Sequence, residues 1–265
     1  MTIFHAAVFG IIQGLTEFLP ISSSAHLALL PWFFGWEDPG LAFDVALHWG
    51  TLLGVLLYFR NDIKDLIIGW CGSLRGKREP LNVLSWHIVL ATIPAALAGY
   101  FLEGKAETVF RSPVLMAFAL AGAGILLYWA DKTTGPKTPL RGMNWKKAAV
   151  IGLAQSLAII PGVSRSGITT TAGLFLSLDR ESSVRFSFLL SMPIIFGAGI
   201  KKAGFFIDNL ANISFWVAFA AAAVSGMAAI HFLLTFVKKR SFTPFVIYRI
   251  LLALIILAWF TFSHR

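Results

Sequence analysis

Cysteine is almost absent from this chain. Of 265 residues only Cys71 carries a thiol, which excludes a disulfide framework and a cysteine-ligated metal site. Charge is scarce as well. Asp, Glu, Lys and Arg make up 13% of the residues and hydrophobic side chains 57%, whereas a soluble domain carries roughly 25% charged residues. With a mean hydropathy of +0.76, that shortage excludes a soluble globular domain and predicts an all-α polytopic membrane protein. Acids are the rarest charges, 13 against 22 Lys and Arg, for a net charge of +9. The excess does not point to nucleic acid, because the basic residues lie in short segments between apolar runs. That is the pattern of topology signals and of contacts with anionic membrane lipids. No Lys or Arg precedes Arg60, so the basic region that opens a cleaved signal peptide is missing.

Six segments are long and apolar enough to span a bilayer: about 41–59, 83–102, 112–130, 184–200, 213–236 and 243–262. Two further apolar regions, 3–35 and 146–178, are interrupted by Pro20–Ser24 and by Pro161–Gly167. Non-helical backbone at membrane depth is tolerated only inside protein or beside a wet cavity, so both are expected to be re-entrant helix–loop–helix hairpins. Loop charge agrees with six crossings. Arg60, Lys64, Arg75, Lys77 and Arg78 fall on the same side as Lys132, Lys137, Arg141, Lys146 and Lys147, and as Lys238, Lys239 and Arg240. The positive-inside rule places these loops in the cytoplasm and both termini outside.

The two halves, about 1–132 and 143–265, also resemble each other within a single domain, 1–265. A shift of 142 residues aligns Val8, Gly10, Gln13, Leu15, Ser22 and Ser24 with Val150, Gly152, Gln155, Leu157, Ser164 and Ser166. Three spans per half would invert the second copy in the membrane. Such inverted repeats place a site at the repeat interface near the midplane.

The chemistry gathers at the two interruptions. PGVSRSGITT, residues 161–170, brings Ser164, Ser166, Gly167 and Thr169 to a helix start together with Arg165. Hydroxyls and backbone N–H groups at a helix N-terminus attract anions, and the guanidinium fork suits phosphate oxygens. Close packing of small residues would explain the Ser and Gly, but it leaves Arg165 without a partner in an apolar setting. QGLTEFLPISSSAH, residues 13–26, sets Gln13 and Glu17 four apart on one helix face. Glu17 can bind a divalent cation, position water or act as general base. Ser22, Ser23 and Ser24 are candidate nucleophiles or oxyanion donors, and His26 is a candidate proton carrier. No strand–turn–helix G-x-S-x-G elbow surrounds the serines, which argues against that type of ester hydrolase.

These two stretches resemble the signature motifs of the bacterial undecaprenyl-diphosphate phosphatases, the bacitracin-resistance family. The resemblance extends over FDVALHWGTLLGVLLYFR, FSFLLSMPIIFGAG and FTPFVIYRI. It implies an integral enzyme of the bacterial cytoplasmic membrane that removes the terminal phosphate of undecaprenyl diphosphate. The product, a lipid monophosphate, is recycled for peptidoglycan synthesis. The site would open to the outer face, a divalent cation such as Mg²⁺ or Ca²⁺ would assist, and a homodimer is compatible with the family. Carried over, the acidic motif falls on Gln13 and Glu17, the serine and histidine on Ser23 and His26, and the phosphate loop on Ser164, Arg165 and Thr169. Many members have Glu where this chain has Gln13, which leaves Glu17 as the one acid of the motif and the candidate metal ligand. Either Ser23 or a water held by Glu17 would attack phosphorus.

Two other classes compete. A polyprenyl-phosphate flippase or transporter would use the same inverted-repeat scaffold without releasing phosphate. The acid-phosphatase-like lipid phosphatases need a second histidine after the Ser-Arg pair, and none follows Arg165 before His231. Among the remaining polar residues, Asp44 and His48 either line the site or pair at the interface. Arg249 either meets the diphosphate or pairs structurally, for instance with Asp44. His87 and His231 are expected at the interface, and Pro94 and Pro193 to kink spans beside a lipid-facing cleft.

Overall fold

A computed structural model describes residues 1–74, 80–133 and 136–263; Arg75, Lys77 and Arg78 lie outside the described residues. The chain is helical throughout, and among the described residues the β structure is one isolated bridge, Thr138 to Leu178. In order the helices are α1 (Ile3–Phe18), α2 (Ser23–Phe34), α3 (Leu41–Tyr58), α4 (Arg60–Leu74), α5 (Pro80–Glu107) and α6 (Pro113–Lys132). The second half follows with α7 (Trp145–Ser156), α8 (Arg165–Phe175), α9 (Arg180–Lys201), α10 (Ala203–Asp208), α11 (Ile213–Val237) and α12 (Thr243–Ser263). Six of them, α3, α5, α6, α9, α11 and α12, are long and apolar enough to cross a membrane. They coincide with the six segments expected from sequence. This is a multi-pass membrane protein. Many large apolar side chains, such as Phe101, Phe118, Leu254 and Phe262, remain exposed on the helix surfaces, as a lipid-facing exterior requires.

The segments expected to be interrupted are pairs of short helices. α1 and α2 have 16 and 12 residues, and α7 and α8 have 12 and 11. Each pair is joined by a tip of irregular backbone, which in the second follows a 3-10 turn at Leu157–Ile159. The two tips share an unusual backbone: Ser22 and Ser164, which are 142 positions apart, both adopt positive φ, 75° and 70°. Non-glycine residues held there cost about 1–3 kcal/mol each and persist where the surroundings over-determine them.

Small residues set the packing of these short helices. α1 lies against α11, and α7 against α5. A Cβ at Gly10 would sit 2.3 Å from the Ala218 carbonyl oxygen, and one at Gly152 would sit 2.6 Å from the Ala91 carbonyl oxygen. These two glycines are also 142 apart, so each half presses its short helix onto a spanning helix of the other at the same register.

Two helices lie where the sequence reading placed only loops. In α4, Ile63, Leu66, Ile67 and Trp70 recur at helical spacing, which gives one apolar stripe. Leu66 is buried while Ile67 and Trp70 stay exposed. α10, with Phe205 and Phe206, is the short counterpart in the second half; Phe206 packs on Trp49 of α3 and Phe215 of α11.

Candidate active site

Glu17 stands at the centre of the buried polar residues. It occupies the last turn of α1, its side chain is 3% exposed, and each carboxylate oxygen is engaged. Arg165, the first residue of α8, donates from Nη2 to Glu17 Oε1 at 2.5 Å. The Ser23 hydroxyl donates to Oε2 at 2.5 Å, and the Gln13 amide donates to the same oxygen at 3.1 Å. His48 Nε2 lies 3.2 Å from that oxygen as well. One carboxylate therefore joins the two tips and meets α3. The i, i+4 spacing of Gln13 and Glu17 makes their bond local, whereas the contact with Arg165 bridges 148 positions.

The tips are fastened to each other by three further devices. Ser22 Oγ accepts the Gly162 N–H at 3.0 Å, and the Ser166 hydroxyl donates to the Leu19 carbonyl at 3.2 Å. Arg249 of α12 supplies the third. It is completely buried and donates to the carbonyls of Leu120, Pro20, Gly162 and Val163 at 2.8–3.0 Å, with Ala119 at 3.5 Å. Two broken helices leave orphan carbonyls at their breaks, and this one guanidinium satisfies those of both. Arg249 therefore pairs structurally, but with backbone rather than with Asp44.

A cavity of about 290 Å³ opens beside Glu17. Its polar wall includes Ser22, Ser23, Ser24, Ser164, Arg165, Asp44 and His48. Its apolar wall includes Ala95 and Gly99 of α5 and Ile194, Ile195 and Ala198 of α9. Those residues follow Pro94 and Pro193, which sit inside the two helices. A polar pocket floored by ionic groups thus continues into an apolar flank between two spans.

Not every residue singled out from sequence reaches this cavity. The side chain of Thr169 bonds back to the Arg165 carbonyl at 2.7 Å and to Ser187 Oγ at 2.6 Å. The Gly167 N–H donates to Ser164 Oγ at 3.1 Å and closes the cap of α8. Ser166 bonds to Ser164 and to the first tip. His26 turns from Glu17: its Nδ1 meets the Ser22 carbonyl and its Nε2 the Tyr248 hydroxyl, both at 2.7 Å. His48 takes the place beside the carboxylate. Its Nδ1 meets the Asp44 backbone carbonyl at 2.6 Å; the sequence signal for His48 is a polar side chain within an apolar span. His87 is buried, while His231 lies beside the Tyr58 hydroxyl at 3.3 Å.

One cavity-wall charge comes from outside the motifs. Arg111, in the 3-10 turn Val109–Arg111 before α6, donates to Asp44 at 2.8 Å and to Asp38 at 2.7 Å. Nothing local in the sequence marks Arg111, since its partners are 73 and 67 positions away.

For a divalent cation, the described residues hold no cluster of three or more His, Cys, Asp or Glu. The donors near Glu17 are nonetheless of the right kind. Gln13 turns its amide nitrogen to Glu17, while its Oε1 is buried and has no hydrogen-bond partner, a hard oxygen of the kind a hard cation prefers. These residues fit a cation whose remaining ligands arrive with an oxyanion.

Fold and site together define a polytopic helical membrane protein with a buried serine, carboxylate and guanidinium between two broken-helix tips. Comparison with known proteins is specific. Residues 6–255 match the family described as bacitracin resistance protein BacA, and the chain belongs to that family. It is 48% identical over 260 residues to an undecaprenyl-diphosphatase of Moorella thermoacetica, covering 98% of each chain. It is 50% identical over 260 residues to one of Pelotomaculum thermopropionicum, covering 97% of each, and 49% identical over 266 residues to one of Caldicellulosiruptor bescii, covering 98% of each.

Proposed function

We propose that this protein hydrolyses the terminal phosphate of undecaprenyl diphosphate, giving undecaprenyl phosphate and inorganic phosphate. Its relatives named undecaprenyl-diphosphatase support the substrate. The observation that carries the chemistry is the Ser23 hydroxyl donating at 2.5 Å to the carboxylate that Arg165 grips from the other side. That arrangement joins a nucleophile, its base and a fixed cation. A flippase has no use for an activated hydroxyl, and that reading is not favoured.

Arg165 spends one N–H on Glu17 and one on the Ser187 carbonyl, and its remaining donors are available to phosphate oxygens. Ser23 Oγ attacks the terminal phosphorus and its proton passes to Glu17 Oε2. The bond from phosphorus to the bridging oxygen breaks, and the electron pair leaves with the lipid monophosphate. Water then cleaves the new Ser23–phosphorus bond. The proton on Glu17 returns to Ser23 Oγ, and inorganic phosphate departs with the water's oxygen and both of its protons. His26 acts through Ser22, whose carbonyl it holds, and so positions the first tip. A divalent cation, Mg²⁺ or Ca²⁺, would be held by Glu17 and would neutralise phosphate charge.

The architecture is read as an inverted-topology repeat with two re-entrant hairpins. The paired positive-φ serines, the paired glycine contacts and the exchange of partners between halves support it. The basic loops then face the cytoplasm, the cavity opens on the outer side of the bacterial inner membrane, and the polyprenyl tail stays in lipid along the α5–α9 flank.

The test is phosphate release from undecaprenyl diphosphate in micelles, with and without chelator, followed by acid quench of substrate labelled in its terminal phosphate. Label on Ser23 in the parent, and none in Ser23→Ala, is expected. No phosphate release by the parent protein would overturn the assignment; labelled protein in Ser23→Ala would overturn the nucleophile.

A further inference from the structure

Arg111 has no part in the reaction as derived above, yet it lines the same cavity as Arg165. Among the described residues that line it, these two are the only Arg or Lys. A diphosphate presents two phosphate groups, and Arg165 beside Ser23 accounts for the one that is transferred. The phosphate that stays on the lipid needs its own donor.

The two partners of Arg111 differ in burial. Asp44 is on spanning helix α3 and its side chain is 10% exposed; Asp38 is in the connection before α3 and is 44% exposed. Each carboxylate takes a different nitrogen of the fork: Asp44 meets Nη2 and Asp38 meets Nη1. A mostly buried pair orients the guanidinium, because breaking it would strand a charge. An exposed pair contributes about 0–1 kcal/mol and exchanges readily. The Asp38 carboxylate therefore occupies an edge of the fork that another oxyanion can take, at little energetic penalty. Asp38 is itself held by an Asx turn, accepting the Gly40 N–H at 2.8 Å, and the connection is bounded by Gly35 and Gly40 at positive φ. These are positions where glycine pivots without strain.

We propose that Arg111 binds the lipid-linked phosphate of the substrate, and that this phosphate displaces Asp38 from Nη1 while Asp44 keeps the guanidinium aimed into the cavity. The proposal rests on the phosphatase reading of the same site. With Arg165 on the terminal phosphate and Arg111 on the retained one, the scissile bridge lies between two fixed cations. Removing Arg111 then weakens every ligand that carries the retained phosphate and spares those that lack it.

The experiment compares the parent protein with Arg111→Gln, Arg111→Lys and Asp38→Asn, reading KM, kcat and product inhibition. A charge-assisted contact predicts a roughly tenfold to hundredfold rise in KM for Arg111→Gln. Inhibition by undecaprenyl phosphate should weaken by a similar factor, while inhibition by inorganic phosphate stays unchanged. Arg111→Lys, which keeps the charge but loses the fork, falls in between. Asp38→Asn removes the competing carboxylate and lowers KM severalfold. Equal loss of inhibition by both products in Arg111→Gln would overturn the proposal, as would a KM for Asp38→Asn raised as much as that for Arg111→Gln. A parent protein that releases no phosphate would instead sink the underlying function.

Discussion

Replacing Arg249 by leucine tests the most unusual feature of the interior, a fully buried arginine whose hydrogen bonds all go to backbone. Four of those bonds, to Leu120, Pro20, Gly162 and Val163, are 3.0 Å or shorter. Net values from mutational series, which already contain the donor's desolvation, are about 1 kcal/mol for an ordinary hydrogen bond and about 1.5–3 with a charged partner. Taking the lower figure for all four gives a destabilisation of about 4 kcal/mol. At roughly 2–4 °C per kcal/mol for a chain of this size, the melting temperature falls by about 8–16 °C. The assay is thermal unfolding in detergent micelles followed by far-ultraviolet circular dichroism. Arg249→Lys, with three donors in place of five, should recover part of the loss. A melting temperature within about 2 °C of the parent would refute the reasoning. If activity vanished while that temperature held, Arg249 would be a substrate ligand and not the clamp between the tips.

Arg165→Ala should cut phosphate release by about 10³ or more, the range for a guanidinium that stabilises a transferring phosphoryl group; an undiminished rate would remove Arg165 from the mechanism. His26→Asn should cost less than the ~10²–10⁴ expected of a general acid or base, because His26 bonds to Tyr248 and the Ser22 carbonyl and not to Glu17; a loss in that range would return it to the proton path. Gly152→Val places a Cβ 2.6 Å from the Ala91 carbonyl oxygen. It should destabilise by at least the ~1–3 kcal/mol of overpacking, read as a lower melting temperature. Asp131→Asn weakens a clasp in which Asp131 holds Arg180 at 2.5 Å and the Phe242 N–H at 3.0 Å. Lower thermal stability with an unchanged KM is the expected outcome, and a raised KM would place that clasp in substrate binding.

The six spanning helices were legible because each is one continuous apolar run, and a bilayer sets its length independently of neighbours. The two interruptions were equally legible, since proline and serine runs cannot continue a lipid-exposed helix. Glu17, Ser23 and Arg165 were named for their chemistry, and the fold brings all three into contact. α4 and α10 were not read because they are short amphipathic helices between the spans, where the long-run criterion does not register them. Asp44 and His48 had two open readings, which only the approach of α3 to α1 could separate.

By itself the sequence determined the class, the six apolar spans, the two interruptions and the candidate reacting groups, because composition, length and residue chemistry are local properties. Tertiary structure alone decided which groups meet. It turned His26 toward Tyr248 and brought His48 to Glu17. It spent Arg249 on the backbone of both tips and set Arg111 in the wall of the cavity that Arg165 also lines. These contacts join residues tens to hundreds of positions apart, and their geometry comes from helix packing, which no local pattern encodes.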